Sequence, residues 1–245
     1  MRYIISFFCL IVPNILLAQA NQGLSLPGMS INFGQGVDLV DTMQLLAVFT
    51  LLTLAPAILV LCTCFTRIIV VLAFIRQAIG TQNMPPNQLL IGFAMFLTFF
   101  VMQPTAESIY DRAILPYMEK RVSSIDAIKE IEQNLRVFMS AQVRKTDLQL
   151  FYDITGKVQP NTINDVPTHF LIPAFIISEL KTAFQIGFLL YLPFLILDMV
   201  VASVLMAMGM MMLPPVIVSF PFKLLLFVLV DGWHLITGSL IRSFH

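Results

Sequence analysis

The ionisable side chains of this chain stand in unusual company. Arg67, Arg76, Glu179, Lys181, Asp198, Lys223 and Asp231 all lie in or beside runs of aliphatic and aromatic residues. A charge inside a lipid-facing segment costs at least a few kcal/mol, and it marks either a polar pathway or a partner of opposite sign. Equal steps counted outward from Pro214-Pro215 put Asp198 level with Asp231. Those two carboxylates form one candidate proton-sharing pair. The preferred reading is plainer: each aspartate pairs with a base from elsewhere, such as Arg67, Arg76 or a neighbouring subunit. A relay needs a chain of ionisable groups, and this is the single candidate pair. The same counting puts Lys223 level with Met206, with no acid at its depth in its own hairpin. Glu179 and Lys223 are therefore expected to pair between subunits or across strongly bent helices. His234, beside Trp233, reads as an interfacial residue rather than a ligand.

A second group is chemically softer. Five of the 14 methionines fall between Met206 and Met212, next to Gly209 and Pro214-Pro215. Methionine is unbranched, flexible and polarisable, so a cluster of it suits a deformable contact or seal better than a rigid core. Core packing explains part of the run, because Met206, Met210 and Leu213 share a helical face. It does not easily explain three in succession, Met210, Met211 and Met212.

These residues must be held by membrane-type elements. The 245 residues are 58% hydrophobic and 11% charged, whereas soluble domains carry roughly 25% charged residues. Most of the charge is gathered between Glu107 and Lys181, which separates two apolar blocks. Residues 1–20 form an expected secretory signal peptide, with Arg2, an apolar stretch to Leu17, and a small-x-small site at Ala18-Gln19-Ala20. Residues 21–42 are polar and glycine-bearing, and are expected to be an extracytoplasmic tail with little regular structure. Residues 43–104 predict a first hydrophobic hairpin, its segments Met43–Ile75 (broken at Pro56) and Leu89–Met102 joined by a turn at Gly80-Thr81-Gln82-Asn83-Met84-Pro85-Pro86-Asn87. Residues 105–170 predict a small helical insert, since Ile128, Ile131, Leu135 and Phe138 recur at helical spacing. Residues 171–245 predict a second hairpin, interrupted at Pro173 and Pro193 and turning at Pro214-Pro215. The fold class expected is an all-α integral membrane protein with four crossings, both Pro-Pro turns cytoplasmic and the insert outside.

Several function classes find no support. No P-loop, dinucleotide-binding glycines, nucleophile elbow or zinc motif is present, so neither an enzyme nor a cofactor is expected. Cys62 and Cys64 have no histidine neighbours, and no metal site is expected. With 14 bases and 14 acids, the chain has no electrostatic footprint for nucleic acid.

Two stretches carry a resemblance. Phe65-Thr66-Arg67-Ile68-Ile69-Val70-Val71-Leu72 with Gly80 to Gln88, and Glu179-Leu180-Lys181-Thr182-Ala183-Phe184-Gln185 with Leu192-Pro193-Phe194-Leu195-Ile196-Leu197-Asp198, closely resemble the FliP family, the flagellar branch of the type III secretion export-gate proteins. The resemblance implies a homopentameric core that assembles with FliQ-like and FliR-like subunits into a helical export gate in the basal body of the flagellum, at the bacterial inner membrane. Other export-apparatus proteins, membrane lipid and unfolded export substrates are the remaining implied partners. It also implies that the hairpins need not each cross the bilayer, and that Met210, Met211 and Met212 form a gasket around a channel. An ion-coupled transporter using Asp198 and Asp231, and a non-conducting assembly scaffold, are the alternatives.

Overall fold

The computed structural model describes residues 24–26, 29–31, 39–81, 84–158, 160, 162–210 and 212–244. The expected signal peptide and Met211 lie outside the described residues. The chain divides into two units between Ile58 and Leu59.

In the first unit, β1 (Leu24–Leu26) and β2 (Met29–Ile31) pair antiparallel, with Leu24 opposite Ile31 and Leu26 opposite Met29. The polar tail thus holds a short ribbon where little regular structure was expected. Alternating Leu24, Ser25, Leu26 and Met29, Ser30, Ile31 give each strand the two-residue period of a ribbon. Helix α1 (Leu39–Leu61) follows and runs through position 56.

The expected break at Pro56 falls instead at Thr63. The Thr63 hydroxyl donates to the Val60 carbonyl at 3.0 Å, and its oxygen accepts from the Phe65 N–H at 3.5 Å. A threonine that bonds nearby backbone in this way competes with the helical ladder. Helix α2 (Phe65–Ile79) then begins. It buries Ile68, Val71, Leu72, Ile75 and Ile79, the three-and-four spacing of one apolar stripe. Gly80 ends it in the left-handed region, at φ 86°, with its N–H on the Gln77 carbonyl at 3.0 Å. An L side chain at this C-terminal position would be strained.

Helix α3 (Asn87–Ile109) runs through Pro104 and enters a π-helical turn at Tyr110–Ile114 before the short helix α4 (Leu115–Met118). The insert is helical as expected. Ser123 caps α5 (Ser124–Gln142), accepting from the Asp126 N–H at 3.2 Å. Helix α6 (Lys145–Thr155) ends at Gly156. The insert packs against the start of the next long helix around Met139, Leu148, Tyr152, Val166, Phe170 and Phe175. The Tyr152 and Phe170 rings stack with centroids 4.6 Å apart.

That helix, α7 (Thr168–Ala207), is continuous for 40 residues and contains both Pro173 and Pro193. The expected interruptions are absent. A proline removes one helical hydrogen bond, whereas a full break in an apolar setting strands several backbone groups. At 1.5 Å per residue α7 is about 60 Å long, roughly twice the hydrocarbon core. It packs tightly on α2 at Gly187, where a Cβ would lie 2.7 Å from the Phe74 ring.

Helix α8 (Pro215–Leu229) and helix α9 (Gly232–Arg242) are bent 64° from each other. Among the described residues, Asn87–Met118 and Thr168–Ala207 are long and apolar enough to cross a membrane, and the bent pair adds a third if it counts as one span. The four-crossing expectation treated Met43–Ile75 as one span. The Thr63 break instead leaves α2 with 15 residues, about 22 Å against a core of about 30 Å.

Candidate functional site

Arg67 is 2% exposed and anchors a polar node inside the helices. Its position on α2 adjoins the buried stripe that begins at Ile68, so the guanidinium enters the core with it. Glu179 is fully buried because it shares a stripe of α7 with Phe175 and Ala183, four residues to either side. Arg67 Nε donates to Glu179 Oε2 at 2.8 Å, and Nη2 donates to Glu179 Oε1, a two-pronged pair. The remaining donors are also used. Nη1 reaches the Ser243 carbonyl at 2.8 Å and its hydroxyl at 3.1 Å, and Nη2 reaches Gln142 Oε1 at 2.9 Å. The Phe244 ring covers the guanidinium at 3.9 Å. The planar fork of arginine serves all these acceptors at once, which a lysine could not do. One side chain thereby ties α2, α5, α7 and the segment after α9 together.

The expected Glu179–Lys223 pair is not what the structure contains. Glu179 is taken by Arg67, and Lys223 donates to Asp198 Oδ2 at 2.6 Å within its own hairpin. Ser219 donates to the other oxygen of Asp198. The error lies in where the hairpin turns. Helix α7 ends at Ala207 and α8 starts at Pro215, so the whole segment between them is turn. Counted from the helix ends, Asp198 is nine residues before Ala207 and Lys223 eight after Pro215, which makes them level. Lys223 also lies beneath the end of α2, its Nζ 3.9 Å from the position of a Cβ on Gly80.

The expected Asp198–Asp231 level pairing fails for the same reason. Asp231 sits at the α8–α9 bend, exposed and left-handed at φ 51°. It is eight residues beyond Lys223, about 12 Å along a helix. Arg76 meets neither aspartate; it donates to Asn87 Oδ1 at the start of α3 and braces the first turn.

The methionine turn is built differently. Helix α7 ends in a paired motif: Met210 N–H bonds the Leu205 carbonyl and Gly209 N–H the Met206 carbonyl, each at 3.0 Å, with Gly209 at φ 77°. This αL termination explains Gly209. It also removes Met210 and Leu213 from the helix, so the expected shared face with Met206 does not exist. Met206 and Met208 are exposed, and Met212 is 99% exposed.

Sequence reasoning missed the polar groups that hold the insert on α7. Ser178 donates to the buried Asp147 at 2.7 Å and accepts from the Arg144 N–H at 3.1 Å. Arg144 Nη2 reaches Gln185 Oε1 at 2.6 Å. Asp147 had a legible signal, lying in the first turn of a helix that carries Leu148 and Tyr152 inward. Gln142 and Ser243 had none. Among the described residues, no cluster of three or more His, Cys, Asp or Glu is placed to hold a metal.

Long apolar helices with internally neutralised charges, a helical insert and a bare methionine turn define the class: a polytopic helical membrane protein whose outer apolar faces await lipid or other subunits. The FliP family model matches residues 48–240. The chain belongs to the FliP family. It is 55% identical over 204 residues to the flagellar biosynthetic protein FliP of Bacillus subtilis (strain 168), covering 83% of this chain and 92% of the relative. It is 48% identical to the FliP of Cereibacter sphaeroides over 231 residues, covering 94% and 77%. The FliP of Borreliella burgdorferi is 48% identical over 229 residues, covering 92% and 90%.

Proposed function

We propose that this chain is a core subunit of the flagellar type III export gate. Several copies, with FliQ-like and FliR-like partners, surround a conduit in the inner membrane through which unfolded flagellar proteins pass. The insert lies on the periplasmic side, and the role is conduction rather than catalysis. The names of its relatives support the flagellar assignment. The observation that carries the conduit is the methionine turn. Met212 is almost fully exposed, on a turn held by backbone bonds, and lies outside the core of one chain. Brought together from several copies, Met210, Met211 and Met212 would form a gasket. Thioether side chains deform around a passing polypeptide and offer it no strong hydrogen bonds.

Replacing Met210, Met211 and Met212 together by alanine tests this reading. Ion leakage across the inner membrane should rise and growth should slow in cells that still assemble the complex. Unchanged leakage with intact assembly would sink the gasket. Conductance of the assembled complex in a planar bilayer separates a gate from a scaffold. Asp231→Asn should leave export intact, because Asp231 lies at a bend rather than beside Asp198; lost export would revive an ion-coupled mechanism.

A further inference from the structure

We propose that the groove between α7 and α9 binds one anionic phospholipid. The groove is made of two adjoining cavities. The first, about 220 Å³, lies at the α8–α9 bend, between Pro193 and Phe194 of α7, Phe227 of α8, Val230 just past its end, and Gly232 and Ile236 of α9. None of its lining side chains carries a hydrogen-bonding group. The second, about 500 Å³, lies one helical turn further along both walls. Ile186 precedes Leu190 by four residues on α7, and Ser239 follows Leu235 by four on α9. Leu235 lines both cavities and joins them.

The two ends differ in chemistry. The second cavity presents His234, Ser239, Arg242 and Ser243, and no carboxylate lines it. Arg242 is exposed and has no ion-pair or hydrogen-bond partner among the described residues. The nearby Glu179 is already held by Arg67, and Asp231 stands at the opposite end of α9. The Ser243 hydroxyl is taken, donating to the Leu240 carbonyl at 2.7 Å and accepting from Arg67, but a free guanidinium with the Ser239 hydroxyl and an imidazole beside it is a phosphate-binding set, of the kind that takes lipid head groups between membrane helices.

The apolar end decides against a peptide. A peptide would bring N–H and C=O groups that find no partner there, each costing free energy when buried. An alkyl chain brings none. The length also fits. Gly232 to Arg242 is ten residue steps, about 15 Å, which is half of the roughly 30 Å hydrocarbon core and so the depth of one leaflet. One acyl chain would reach from a phosphate at Arg242 to the bend at Gly232. The proposal rests on the membrane setting of α7 to α9 and is independent of the gasket.

Native mass spectrometry of the full-length protein tests it, using delipidated protein in detergent with phosphatidylglycerol or phosphatidylcholine of identical chains. One phosphatidylglycerol should be retained per chain, about tenfold more strongly than phosphatidylcholine. Arg242→Gln should erase that preference and leave weak retention of both lipids. Leu235→Trp, which fills the junction of the cavities at an exposed position, should abolish retention of both; Val230→Trp is the second blocking variant should the first fail to fold. Equal retention of the two lipids overturns the proposal, as does a preference that survives Arg242→Gln. Glycerol phosphate displacing the lipid completely at equal concentration, or retention untouched by both tryptophan variants, would show a head-group site without the chain groove and overturn it too.

Discussion

Helix α7 carries two regions of opposite design. Near its first third, Glu179 is fully buried, and the Arg67 guanidinium that grips it has its donors engaged by three different elements. Just past its last turn, Met208 and Met210 are exposed, and Met212 is almost wholly bare. Polarity is spent inside the subunit and softness is left outside it. A buried ion pair contributes little over an apolar packing of equal volume, but losing one partner is severe. The node therefore dictates which helices meet and in what register. The turn dictates little about the fold of one chain, and in the proposed gate it is free to answer to other copies. A charge in an apolar sequence is thus weak evidence for a transport pathway here, and an exposed apolar cluster is the better pointer to work done outside the subunit.

The sharpest way to break this contrast is at the node. Glu179→Ala should cost about 3–5 kcal/mol by leaving Arg67 charged and buried, read as lost thermal stability of the purified protein in detergent. Arg67→Ala should cost as much, and the double variant should cost much less than the sum of the two, because each removal already destroys the same pair. Strictly additive losses would show that the pair does not act as a unit. Gly187→Leu comes next. Its side chain would invade the Phe74 ring and should cost about 1–3 kcal/mol, with partial recovery on adding Phe74→Ala. Gly209→Ala forces an L residue to φ 77° and should cost about 1 kcal/mol, detectable as a small drop in melting temperature. The smallest effect belongs to Met210→Ala with Met212→Ala. Stability should move by no more than about 0.5 kcal/mol, while ion leakage of the assembled complex rises. A stability loss as large as that of Glu179→Ala would place the turn within the subunit's own core and erase the contrast.

Much of this was legible along the chain. The apolar blocks, the helical insert, the turns at Gly80 and Pro214-Pro215 and the softness of the methionine run follow from composition, periodicity and turn chemistry. The prolines misled, because Pro173 and Pro193 look like breaks in one dimension, yet the helix continues through both. Thr63 was missed as the true interruption, since a threonine breaks a helix only when its hydroxyl captures backbone groups. Of the charges singled out along the chain, Arg67, Glu179 and Lys223 are buried, whereas Lys181 and Asp231 are exposed; neither that division nor the partners were legible. Depth counting assumed straight helices meeting at Pro214-Pro215. The turn began six residues earlier, after Ala207, and that moved Lys223 opposite Asp198.

What the sequence by itself determined is the inventory: which segments are apolar, where glycine must end a helix, which charges are out of place, and which residues are soft enough for a seal. These are local properties, set by side-chain chemistry and a few neighbours. Tertiary structure alone decided the pairing. Whether Arg67 meets Glu179 or an aspartate depends on the rotation of α2 against α7, the close approach that Gly187 permits, and the bend that carries Ser243 and Phe244 back over the guanidinium. An ion pair forms only within a few ångströms, and such distances are fixed by how helices turn and pack in three dimensions, not by their spacing along the chain.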